Sequence, residues 1–234
     1  MKSNYQKYDF EKSKERINNI LNTSDLEFTE LKNIPTRDKL THNNGFYVQC
    51  TSMFVDIRKS TQMATKYRKA TLARIYKCYI SEVVAIINGN NECVEICIEG
   101  DCVWGIFNTT KKAEIDGVVN TAAQISSIIN ILNSKLKVKN LDPISIGIGI
   151  DYGSTLMVKA GHSGTGVNDV VWMGEVVAMS SKLASYGNRN DGDQQVMISE
   201  TLYTNINQDL KSLFSYNSSR ICYHGNIIIP AMKE

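Results

Sequence analysis

Two aspartates carry the clearest chemical potential in this sequence. Asp56 sits in FVDIRKST (Phe54–Thr61), behind a short apolar run and ahead of two cations and two hydroxyls. Asp101 follows 45 residues later, beside Gly100 in CVEICIEGDCVWGIF. Each acid alone is ordinarily a solvated turn residue, and Ser60 or Thr61 is ordinarily an N-cap. Two carboxylates brought to one edge repel unless a cation lies between them. Mg²⁺ or Mn²⁺ bound to triphosphate oxygens answers that need, because these ions prefer oxygen ligands and take few from protein. Arg58, Lys59, Ser60 and Thr61 follow Asp56 at the start of an expected helix, where free N–H groups favour phosphate.

The acids need elements to position them. FYVQCTSMFVDI reads as a strand from Phe46, TQMATKYRKATLARIYKCYISEVVAIINGN as one long helix ended by Gly89, and CVEICIEGDCVWGIF as two short strands around Glu99-Gly100-Asp101. KKAEIDGVVNTAAQISSIINILNSKL carries a second long helical stripe, and ISIGIGIDYG is a glycine-relieved strand. DVVWMG reads as a strand, EVVAMSSKLASYG as a helix ended by Gly187, and QQVMIS as another strand. Strand, helix, hairpin, helix, strand is the order of an α+β, ferredoxin-like split βαβ core with additions. In that sheet the first strand lies beside the hairpin, which brings Asp56 to Asp101.

Residues 5–32 place Ile17, Ile20 and Leu21 at helical spacing and add Leu26, Phe28 and Leu31 after a Thr-Ser-Asp break. They are expected to form a helical N-terminal extension packed on the main domain. PTRDKLTHNNG then runs as a polar connector to Gly45, dividing the chain into an extension (1–45) and a main domain (46–234).

The totals exclude several classes. With 26 Lys+Arg against 24 Asp+Glu, 42% hydrophobic and 21% charged residues, the chain has no strong field for nucleic acid or anionic membrane. No apolar run approaches the roughly 20 residues of a membrane span. MKSNYQKYDFEKSKER lacks the apolar core of a secretory signal, so a cytoplasmic protein is expected. Cys50, Cys78, Cys93, Cys97, Cys102 and Cys222 lack paired CxxC units and read as reduced thiols, not as zinc ligands. GHSGTGVND (Gly161–Asp169) looks like a phosphate loop but is not followed directly by a helix, so a hairpin is expected. Trp104 and Trp172 lie in apolar strands, which suits core or dimer-interface packing.

In order and spacing, FVDIRKST, EICIEGDCVWGIF, SIGIGIDYGSTLMVKAG and VVWMGEVVAMSSKLASYG resemble four blocks of the class III nucleotide cyclase catalytic domain, over roughly residues 46–200. The resemblance implies a homodimer with composite sites acting on a nucleoside triphosphate. Asp56 and Asp101, with the carbonyl of Ile57, match the positions that bind two Mn²⁺ or Mg²⁺ ions. Those ions activate the ribose 3′-OH and brace the leaving pyrophosphate. Ile57, Lys59, Ser60 and Thr61 then fall at the nucleotide, with Arg58 and Lys182 as catalytic cations.

The sequence also departs from the family. A usual Asn and Arg on the last helix are Ala178 and Lys182 here, and lysine keeps the charge without the bidentate fork. The base-reading positions are Cys97 and Val171, which offer almost no hydrogen bonding to a purine. Tyr47, Arg58, Arg74 and Glu95 are further candidates for base or phosphate contact, and a structural role stays open for each.

The whole outline is similar to the bacterial Pycsar pyrimidine cyclases. That similarity implies UTP or CTP as substrate, Mn²⁺ as metal, and cyclic UMP or CMP as an antiphage signal read by a separate effector. Two alternatives stand beside it: a purine cyclase with an atypical base pocket, and a silent cyclase-like module that binds nucleotide, kept open by Ala178. An RNA-binding ferredoxin-like domain lacks the necessary basic face.

Overall fold

The computed structural model describes residues 2–24 and 26–232. The chain begins with α1 (Phe10–Leu21), β1 (Glu27–Leu31) and a 3₁₀ turn (Arg37–Lys39). The central elements are β2 (Asn44–Ile57), α2 (Ser60–Lys66), α3 (Lys69–Asn88), β3 (Cys93–Glu99), β4 (Cys102–Phe107), α4 (Lys112–Val138) and β5 (Ile146–His162). Then follow β6 (Val167–Met173), α5 (Glu175–Tyr186), β7 (Val196–Ile198), α6 (Glu200–Asn205), α7 (Gln208–Lys211), β8 (Ser215–Asn217) and β9 (Cys222–Gly225). They form one sheet in the order β3-β4-β2-β5-β7-β9-β8, with β1 paired to β2 and β6 to β5. The segment β3-β4-β2-β5 is the split βαβ arrangement expected from the sequence, so the α+β ferredoxin-like class holds.

β2 is antiparallel to both β4 and β5, with Phe54 opposite Trp104 on one side and Gly149 on the other. Alternation sends its side chains to two environments. Met53, Val55 and Ile57 pack with Ile75, Tyr79 and Val83 of α3 and Val118, Ala122 and Ile125 of α4. On the other face Val48 and Cys50 pack with Ile106, Met157, Trp172, Val176 and, from the connector, Leu40. This second face also carries Ser52, whose hydroxyl accepts from Ser180 of α5 at 2.9 Å.

Two glycines explain how α5 sits so close. A Cβ at Gly149 would overlap the backbone of Ser180 and Ala184, and one at Gly147 would overlap the carbonyls of Ala184 and Gly187. The ISIGIGI pattern therefore sends isoleucines to the α3/α4 core and leaves bare backbone under α5.

Three expectations are corrected. The long helix after Asp56 is two helices, α2 and α3, because Tyr67 and Arg68 are extended (ψ 146° and 145°). Contacts fix that break: the Tyr67 hydroxyl accepts the Asp142 N–H at 2.9 Å, and Lys66 pairs with the Asp142 carboxylate. Leu26, Phe28 and Leu31 do not continue a helix, since Glu27–Leu31 is a strand parallel to β2 with Phe28 edge-on to Tyr47 at 6.2 Å. Nor does α1 bury itself in the main body: none of its residues is buried, Phe10, Ile17, Ile20 and Leu21 are exposed, and Phe10, Lys12 and Arg16 only line a cavity against His162, Thr165 and Val167 of the β5–β6 hairpin.

GHSGTGVND forms the tip of the β5–β6 hairpin, with Gly161 in the paired strand and Gly164 and Gly166 in the turn, all three at positive φ. Of the described helices, only α4 is long and apolar enough by composition to cross a membrane, and 56% of that stretch is buried in the core.

Candidate active site

Asp56 is the penultimate residue of β2, and Asp101 lies in the turn between β3 and β4, where Gly100 takes φ +66°. The sheet order makes these ends neighbours. Burial first, and then the charge and contact of Asp101, hold the Asp56 carboxyl above the ordinary carboxylate range, while Arg58 pulls it down. Arg58 Nη2 reaches Asp56 Oδ2 at 2.6 Å, and Nη1 donates to the Ser185 carbonyl of α5 at 2.9 Å. Arg58 is thus a buried brace between an acid and the end of a helix.

Asp101 Oδ2 is buried and has no hydrogen-bond partner. Folded chains rarely leave a buried acceptor bare. A bare carboxylate oxygen beside a second carboxylate fits a hard divalent cation, which accepts oxygen donors and needs negative charge. Among the described residues no group of three or more His, Cys, Asp or Glu forms a closed cage. For such an ion the remaining ligand positions would fall to phosphate and water, which suits Mg²⁺ or Mn²⁺ better than zinc. Neighbouring Cys102 does not compete, because burial, with help from Asp56, Glu99 and Asp101, pushes its thiol up to about 12.

The other sequence-derived residues are distributed unevenly. Lys59 is exposed in the left-handed region (φ 57°) and leads into Ser60 and Thr61 at the start of α2, so these stand beside the acid pair in the chain. The first N–H groups of that helix have no partner inside it. Ile57 ends β2 with its side chain in the helical core, leaving its backbone as the part near Asp56.

Lys182 and Ala178 lie one turn apart on the exposed side of α5, away from buried Val176, Ser180, Leu183 and Ala184. Arg74 is exposed on α3. Tyr47 is not brought to the acids: it lies nine residues along β2, on the alternate face, about 30 Å away at the usual rise per residue.

A second polar cluster forms around Glu95, next to Cys97 on β3. Trp172 Nε1 donates to Glu95 Oε2 at 3.0 Å, and Arg37 Nη2 pairs with Glu95 Oε1 at 2.8 Å. Cys97 Sγ lies 3.7 Å from that same oxygen, and burial, reinforced by Glu95, lifts its thiol to about 11. Arg37 also pairs with Asp169 through Nη1 at 3.0 Å. Sequence reasoning missed Arg37 and Asp169, which it placed in a connector and a hairpin. The available signal was an acid two residues before each base-reading position, Glu95 before Cys97 and Asp169 before Val171. Between the two ends, Phe54 and Trp104 stack with centroids 5.1 Å apart.

Residues 43–227 match the adenylate and guanylate cyclase catalytic domain. The chain belongs to that family. It is a nucleotide cyclase domain, of a family that acts on nucleoside triphosphates with divalent ions and commonly forms dimers. The cyclase is 39% identical to a uridylate cyclase from Treponema porcinum over 97% of this chain and 80% of that one. It is 40% identical to a uridylate cyclase from Gulbenkiania mobilis over 88% of this chain and 82% of that one. In fold it resembles a class III adenylyl cyclase-like ATP-binding protein from Pseudomonas aeruginosa, with TM-score 0.70 and 18% identity over 92% of this chain and 47% of that one. The adenylyl cyclase CyaB of P. aeruginosa gives TM-score 0.62 and 19% identity over 73% of this chain and 84% of that one.

Proposed function

We propose that this cyclase converts UTP to 3′,5′-cyclic UMP and pyrophosphate. The reading rests on its similarity to two uridylate cyclases at 39% and 40% identity, against 28% for a cytidylate cyclase from Staphylococcus aureus. CTP is therefore the second substrate to test. Asp56, Asp101 and the Ile57 carbonyl would hold the divalent ions. When bound, those ions lower the pKa of the ribose 3′-OH and neutralise charge on the triphosphate.

The chain's own residues do the positioning. Arg58 fixes Asp56 against α5, and Lys59, Ser60 and Thr61 bind phosphate oxygens. Oxygen O3′ attacks the α-phosphorus as the bond to pyrophosphate breaks in line, and the hydroxyl proton leaves to solvent. Lys182, exposed on α5, serves a site completed by a second copy of the chain and supplies the cation to the developing phosphate charge. Residues 46–234 act as the catalytic domain, and the segment 1–45 contributes to it.

Incubation with all four ribonucleoside triphosphates and Mn²⁺, with products identified by mass, tests the substrate. Cyclic UMP as the main product is expected, and turnover of ATP or GTP alone would refute the reading. Sedimentation tests the assembly, since a fully active monomer would refute the composite site. Ala178 favours a second reading, a silent nucleotide-binding regulator; tight UTP binding with no pyrophosphate released under any metal would select it.

The similarity to Pycsar cyclases extends the proposal to a cytoplasmic antiphage signal read by a separate cyclic-nucleotide effector. Loss of protection in phage-challenged cells carrying Asp101→Ala is the expected outcome.

A further inference from the structure

The two base-reading positions of this family hold Cys97 and Val171, and neither side chain can recognise a base edge by strong hydrogen bonds. The polar groups lie one alternation away. Glu95 precedes Cys97 by two residues on β3, and Asp169 precedes Val171 by two on β6, so each acid shares a strand face with its base-reading neighbour. The register of both strands is uninterrupted over these pairs, since the one irregularity of β3 lies between Cys93 and Glu95.

Arg37 joins the two acids. It comes from the connector before β2, reaching Glu95 at 2.8 Å and Asp169 at 3.0 Å. The Glu95 side chain is only 7% exposed and both its oxygens already have partners inside the protein, so it is shielded from a ligand. Arg37 is 55% exposed, and its two ion pairs engage two of five N–H donors. Two carboxylates therefore fix the guanidinium, with the Trp172 indole holding Glu95, and leave free N–H donors on a half-exposed side chain next to Glu95, whose carboxylate also lies against Cys97. Fixing both ends of the fork removes the conformational freedom that an arginine would otherwise lose on binding.

We propose that Arg37 is the base-specificity residue of this cyclase, donating to carbonyl O4 of uracil while Glu95 and Asp169 hold its guanidinium in place. The proposal rests on the pyrimidine cyclase reading above. Cytosine presents an amino donor at that corner, so the same guanidinium meets N–H with N–H. A site built on a fixed donor rejects the ring that cannot accept.

The test is a competition. Full-length wild type and Arg37→Met receive equimolar UTP and CTP with Mn²⁺, and cyclic UMP and cyclic CMP are counted by mass. The ratio of cyclic UMP to cyclic CMP is expected to fall about 10- to 150-fold, the range for one hydrogen bond from a charged donor, with the loss in the UTP arm. Arg37→Lys keeps a donor without the fork, so an intermediate ratio is expected. If both products fall together and the ratio stays at the wild-type value, the proposal is overturned and Arg37 only clamps Glu95. If Arg37→Met does not fold, as judged by circular dichroism, Arg37→Lys decides by the same ratio.

Calorimetric binding of UTP and CTP separates this proposal from the one it rests on. A wild type that binds UTP over CTP but makes no cyclic product refutes the cyclase reading alone. A UTP preference that survives in the Arg37 variant refutes the Arg37 proposal alone.

Discussion

Two polar clusters on one sheet use the same charges to opposite effect. At one end Arg58 pairs with Asp56, with Asp101 beside that acid, and a buried oxygen of Asp101 and the buried Nε of Arg58 are left bare. At the other end Glu95 and Asp169 meet Arg37, and the indole of Trp172 completes the buried acid. Each end has two carboxylates and one guanidinium, so net charge does not distinguish them. Satisfaction does: the acid pair at the tip of β2 lacks a partner that the chain does not supply, whereas the Glu95 cluster is complete. The first has the chemistry to take a cation, and the second is already satisfied by its own side chains.

The largest expected effect separates these ends directly. Asp101→Asn should lower cyclase turnover by about three orders of magnitude or more, the scale of losing transition-state charge stabilisation. It should also abolish the thermal upshift that saturating Mn²⁺ gives wild type, about 5 °C or more for a chain of this size. A variant that keeps the Mn²⁺ upshift would show that the bare oxygen is not where the ion binds. Without metal, Asp101→Asn should be at least as stable as wild type, because nothing paired is lost.

Trp172→Phe asks the converse. It leaves a buried oxygen of Glu95 without its donor and should cost about 2 kcal/mol in urea unfolding. No cost there would mean the Glu95 cluster is not the satisfied end. Arg58→Ala should cost less, about 1 kcal/mol, since Asp56 is 37% exposed and solvent screens what the guanidinium leaves behind.

The smallest effect is a control from outside both ends. His224 of β9 accepts the Gln194 N–H at 3.2 Å, and burial holds its pKa below the usual histidine value while Asp193 opposes. The folded state binds the proton less tightly than the unfolded chain. Stability is therefore full above the unfolded pKa, about 6.5, and declines as pH falls below it. His224→Gln should flatten that decline, by a fraction of a kcal/mol, without changing the Mn²⁺ upshift. A changed upshift would tie this strand to the metal end.

The acid pair was legible in the sequence because strand and hairpin patterns fix where Asp56 and Asp101 must meet. The polar cluster at the other end was not. Glu95 was visible as a candidate, but Arg37 sits in a connector with no periodicity, and only the folded path of that connector across β3 and β6 brings it to Glu95. Similarly, the break at Tyr67 is decided by a contact with Asp142, 75 residues away, so local helix propensity gave no warning. Parallel pairing of β1 with β2 left no turn signal, and its apolar residues were read at the wrong period. The glycines of ISIGIGI were recognised as relief within a strand, while the helix that occupies the relief was not.

Those glycines have a consequence for assembly. With no side chains between them, β5 and α5 are locked at backbone contact, so α5 cannot slide or tilt without dragging β5 and, through it, the tip of β2. Ser185 near one end of α5 grips the brace of Asp56, while Lys182 and Ala178 project from its outer side. The helix works as a fixed spacer. It sets how far the exposed Lys182 stands from Asp56, and a single methyl at Gly149 would change that distance.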